Sequence, residues 1–123
     1  MAIIQPSFSR PEGDDSVVVV QWTGLLNGDT GAPAQLTKYA DRSVQIAGTF
    51  GAGGTALIEG SNDGSTYATL NNTTGTALSL TTPQIKQVLE NTLLIRPNIT
   101  AGDGTTTLTV TALIRTGTAI VRK

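Results

Sequence analysis

Along residues 107–112 the chain alternates without a miss. Leu108, Val110 and Ala112 fall on one side, and Thr107, Thr109 and Thr111 on the other. A period of two is what a strand with one buried face requires; a helix would scatter such a set around its circumference. The pattern spans residues 105–114, where the consecutive Leu113-Ile114 breaks it. Shorter versions recur along the chain, each bounded by Gly, Asn, Asp or Pro, and no segment holds a long helical period. Thr and Gly dominate the composition, the first β-branched and strand-favouring, the second a punctuator.

The segments can be placed in order. Residues 17–22 form the first strand, and its four consecutive valines predict burial on both faces or one face covered by a partner. A loop runs from Leu25 through Pro33, with the tight-turn dipeptide Asn27-Gly28 inside it. Residues 39–50 give a strand with Val44 and Ile46 opposite Ser43, Gln45 and Ala47. Residues 55–59 place Ala56 and Ile58 opposite Leu57, and residues 67–70 follow after a turn. Residues 76–81 alternate Leu78 and Leu80 with Ala77 and Ser79. Residues 83–90 fit a helical turn and a half behind Pro83, and fit a strand equally well. Residues 93–100 form a strand in which Pro97 argues for an edge or a bulge.

Seven or eight short strands without a long helix or a repeat predict an all-β fold: an antiparallel β-sandwich, jelly-roll-like or immunoglobulin-like. The length of 123 residues suits one such domain. We place it at residues 17–115, behind an extended N-terminal arm over residues 1–16 and ahead of a polar tail over residues 116–123. The arm carries Pro6 and Pro11 and no apolar period. The opening residues do not read as a signal peptide, and the longest apolar run, residues 17–20, falls far short of the ~20 that a membrane helix needs. The expectation is a soluble protein made in the cytoplasm of its host, with no membrane partner.

The composition argues against catalysis. There is no Cys and no His, so thiolate chemistry and the usual neutral-pH base are both missing. Nine acids against eight bases give a net charge of −1, which does not attract a polyanion, and no nucleic-acid partner is expected. The stretch EGSNDGSTYATL at residues 59–70 resembles a cation loop in composition alone. Asn62 and Asp63 are adjacent rather than alternating, and no acid closes the shell before Glu90. It reads as a hairpin turn centred on Asp63-Gly64. Ala101-Gly102-Asp103-Gly104 reads as another turn, and Gly51-Ala52-Gly53-Gly54 lacks the Lys and the helix of a phosphate loop. The sequons at Asn71 and Asn98 are chance matches in a Thr-rich chain. The expectation is no enzyme, no metal and no cofactor.

Two stretches together resemble a known family. One is Val44-Gln45-Ile46-Ala47-Gly48-Thr49-Phe50 continuing to Leu57-Ile58-Glu59-Gly60-Ser61-Asn62-Asp63-Gly64. The other runs from Lys86-Gln87-Val88-Leu89 to Leu94-Ile95-Arg96-Pro97, then Gly102-Asp103-Gly104 and the Thr-rich strand. Over residues 43–115 this is similar to the small structural proteins of tailed bacteriophages that decorate, or cement, the head. The resemblance implies a virion protein on the capsid exterior, with the major capsid protein and copies of itself, a trimer in preference to a dimer, as partners. The residues expected to contact partners are Ile3, Ile4 and Phe8 in the arm, Val17, Val19 and Trp22 in the first strand, and Ile120 and Val121 in the tail. The alternative is a carbohydrate- or host-surface-binding sandwich, because the same hairpin and Leu93–Pro97 strand also resemble discoidin-type modules. Those carry aromatic or basic residues on their loop tips, where this chain has Gly, Asn, Thr and Ser.

Overall fold

A computed structural model describes residues 2–11, 16–35 and 39–116. Among them there is no α-helix, and two sheets pack face to face as a β-sandwich. The strands are β1 (Ile3–Ile4), β2 (Ser7–Ser9), β3 (Val17–Leu25), β4 (Thr30–Gly31), β5 (Ala34–Gln35), β6 (Tyr39–Thr49), β7 (Thr55–Ser61), β8 (Ala68–Thr69), β9 (Ser79–Leu80), β10 (Gln84–Gln87), β11 (Leu94–Ala101) and β12 (Thr107–Thr116). One sheet runs β10-β6-β12-β3-β2; the other runs β1-β4-β11-β7-β8, with β5 also on β11 and β9 on β7.

The alternating segment forms β12, the centre of the five-stranded sheet, paired antiparallel with both β6 and β3. Its inward residues Leu108, Val110, Ala112 and Ile114 are almost fully buried, as are Val44 and Ile46 on β6 and Val20 and Trp22 on β3. Ala56, Ile58, Ile95 and Ile99 face them from the other sheet, and Leu70, Leu78, Leu80 and Val88 close the sides. The expected inward and outward sets of β6, β7 and β12 are therefore the observed ones.

Several expectations are corrected. Leu25 does not begin a loop. Gly24 adopts a left-handed backbone (φ +70) opposite a register shift in β12, and this bulge turns Leu25 back into the core. The region assigned to one loop also contains the short strand β4, and β5 follows directly after it. Of the two readings left open for residues 83–90, residues 84–87 take the strand, paired along β6.

Pro97 lies in the middle of a sheet, between β7 and β4/β5. Its partner Ile58 turns its own N–H and C=O away, to Leu78 and Leu70, so the pair facing β7 is a non-hydrogen-bonded one. The Pro97 nitrogen therefore points to the other side, where β4 ends and β5 has not begun. The missing donor falls in a gap of the ladder.

The arm is not free of the body. Residues 2–11 cross from one sheet to the other, β1 adding parallel to β4 and β2 antiparallel to β3. The Thr30 and Ala32 amides donate to the Ala2 and Ile4 carbonyls, and the Ala2 amide donates to Asp29. Ile4 packs against the core. Deleting residues 2–11 leaves these polar groups unpaired and removes an edge strand from each sheet, so the truncated chain is expected to melt at a clearly lower temperature. Calorimetry checks this; an unchanged melting temperature would mean that the arm contributes nothing to the body.

Candidate interaction surface

The outer face of the five-stranded sheet follows from its register. One row across the strands is Gln87–Ser43–Leu113–Val19–Ser9, the next is Ile85–Gln45–Thr111–Gln21–Ser7, and Asp41–Arg115–Val17 lies beyond the first. Val17 and Val19 are half-buried, while Leu113 is 39% and Ile85 63% exposed. Ser43 is a small residue between the longer Gln87 and Leu113. The dip it leaves is an open groove of about 370 Å³, with Ile85 and Leu113 on its walls and Asp41 and Arg115 at one end. The face thus combines apolar side chains with amides and hydroxyls, and places an acid and a base opposite each other on neighbouring strands.

The residues expected to meet partners divide. Val17 and Val19 share this outer face. Ile3 and Phe8 are exposed at the edges of the two sheets, 66% and 57%, and Ile4, in the arm between them, is partly buried against the core. Trp22 does not belong with them: it is 1% exposed, and its indole Nε1 donates to the Ala32 carbonyl at 2.9 Å. A wide ring that fills the space between two sheets is a core residue. Ile120 and Val121 lie outside the described residues. Sequence reasoning missed Ile85 and Leu113. The signal for Leu113 was the break in period at Leu113-Ile114, which forces one of the two outward; Ile85 was hidden by the ambiguity of its segment.

The outer face of the other sheet carries a polar, internally bonded row with half-buried Leu57 and Leu94 at its sides. Glu59 pairs with Arg96 at 3.0 Å and accepts from Asn98 at 3.2 Å, and Thr30 donates to Asn98. The Arg96 guanidinium lies 3.6 Å over the Tyr67 ring. Such a row resembles a sugar platform in composition, but its donors and acceptors are engaged with each other.

The loops are turns, and their carboxylates hold them. Asp63 accepts from the amides of Thr66 and Ser65 and from the Ser61 hydroxyl, which keeps it ionised well below the usual carboxylate range; Gly64 takes φ +84. Asp103 ties two loops together. It accepts from the Thr105 hydroxyl and amide, and from the Ala52 amide of the loop between β6 and β7, and its pKa falls to about 2. Thr106, 1% exposed, donates from its hydroxyl to the Phe50 carbonyl in the same junction. Among the described residues no three His, Cys, Asp or Glu gather as metal ligands, and no helix is long and apolar enough to cross a membrane.

A depressed carboxylate pKa adds stability above the unfolded value and loses it as the pH falls towards the folded one. The melting temperature is therefore expected to hold down to about pH 4 and to fall below it, and Asp103→Asn is expected to blunt that fall while lowering the melting temperature at neutral pH. A pH series on both proteins checks this; identical acid profiles would remove Asp103 from the account.

No protein-family model, no curated protein and no solved structure matches this chain.

Proposed function

We propose that this chain is a structural protein of a phage virion, which binds the outer surface of the head and stabilises the shell, with the major capsid protein and further copies of itself as partners. The observation that carries the reading is the outer face of the five-stranded sheet. Leu113 and Ile85 stand exposed around a groove, flanked by Val17, Val19 and polar side chains able to satisfy a partner's backbone. Full burial of such a side chain contributes about 1.5–3 kcal/mol. Exposed Ile3 and Phe8 at the sheet edges offer further anchors, which suits a body held by several neighbours at once. The resemblance of residues 43–115 to head decoration proteins supports the same reading. A symmetric arrangement at three-fold lattice positions suits it better than a dimer.

The test uses shells that lack the protein. Wild-type chain is expected to bind them in many copies and to raise their melting temperature. Leu113→Glu and Ile85→Glu alter exposed positions, so each is expected to fold normally and to bind at least about tenfold more weakly, since a charge is costly to bury unpaired. Failure of the wild-type chain to bind would overturn the function; full binding by both variants would move the contact away from this face.

A further inference from the structure

The turn at residues 26–29 contains the chain's one Asn-Gly dipeptide, Asn27-Gly28. Asn-Gly is the pair in which a side-chain amide is lost most readily, because glycine has no Cβ to keep its backbone nitrogen from the neighbouring side chain. That nitrogen attacks Asn27 Cγ and forms a C–N bond. The Cγ–amide bond breaks, and ammonia leaves with the proton from the Gly28 nitrogen. Water then opens the succinimide at either carbonyl, giving aspartate or isoaspartate; nothing is oxidised or reduced.

In the folded protein Asn27 itself is exposed, but the attacking group is engaged. The Gly28 amide donates to the Ile99 carbonyl at 3.0 Å, and the Ile99 amide donates back to the Asp29 carbonyl at 2.8 Å. The turn is closed by the Asp29 amide on the Leu26 carbonyl at 2.9 Å, with Gly28 at φ +88. The same corner holds the arm: one Asp29 carboxylate oxygen accepts from the Ala2 amide and the other from the Leu26 amide.

We propose that Asn27 is a deamidation site gated by this corner. While residues 26–29 lie on β11 the Gly28 nitrogen is withheld, and reaction proceeds when the corner parts from the strand. An isoaspartate at 27 lengthens the backbone by one methylene and no longer closes the turn, so the product loosens the arm that Asp29 holds. The two Asp-Gly pairs, Asp63-Gly64 and Asp103-Gly104, close the same ring only from the protonated acid, with loss of water, and therefore more slowly. A carboxylate must be protonated before it can be attacked, and the hydrogen bonds around each keep it ionised.

The experiment incubates the full chain at mildly alkaline pH, folded and in concentrated urea, and follows Asn, Asp and isoaspartate at position 27 by peptide mapping. The folded protein is expected to react on the order of tenfold or more slowly than the chain in urea. Asp29→Ala, or deletion of residues 2–4 if that variant fails to fold, is expected to speed the folded-state reaction. Gly28→Ala is expected to slow the reaction in urea. Equal rates folded and in urea, or a folded-state rate unmoved by either release of the arm, would overturn the gate; no reaction in urea would overturn the site.

Discussion

Trp22→Ala is expected to destabilise the domain by about 3–5 kcal/mol, within reach of its whole stability. The ring is 1% exposed between the sheets, so truncation opens a cavity that neither rigid sheet can collapse to fill. It also leaves the Ala32 carbonyl without its indole donor at the point where β4 gives way to β5. Trp22→Phe separates the two effects, keeping most of the volume while losing the N–H. Urea unfolding of the three proteins gives the comparison. A loss of under about 1 kcal/mol for the alanine variant would place the ring outside the core.

Gly31→Ala is the second large effect, expected at about 2–3 kcal/mol for the insertion of a single methyl. A Cβ there would stand 2.5 Å from Pro97 Cδ and 2.6 Å from Trp22 Cδ1. One neighbour is a closed ring in a central strand and the other is an almost fully enclosed indole, so neither yields without moving a sheet. Gly53→Ala is the control. It too alters a glycine, at φ +72, but a Cβ there meets nothing within 4 Å, so only backbone strain of about 1 kcal/mol is expected. Equal losses at the two positions would show that crowding is not what excludes a side chain at 31.

The sandwich was legible because β6, β7 and β12 each contain a stretch that buries one face only, and a half-buried stretch writes its period into the sequence. Val44 and Ile46, Ala56 and Ile58, and Leu108, Val110 and Ala112 all point inward as their alternation requires. What escaped was non-local. The role of Pro97 depends on a gap between two strands more than sixty residues earlier in the chain. The arm carries no period because its strands are two and three residues long and are held chiefly by main-chain bonds, which any sequence can make. Leu25 was misplaced because one left-handed glycine resets the alternation. On the candidate face, Val17 and Val19 could be chosen from the four-valine run, since a strand turns half of such a run outward. Ile85 could not, since only its register on β6 shows which way it faces.

The central claim is that the outer face of the five-stranded sheet is the docking face, and the most direct measurement of it is an electron cryomicroscopy reconstruction of the decorated head in which the strands can be traced. The sandwich is expected on the exterior of the shell, with Leu113 and Ile85 buried against a neighbouring subunit. A reconstruction in which that face points into solvent, or a virion that does not contain the protein, would contradict it.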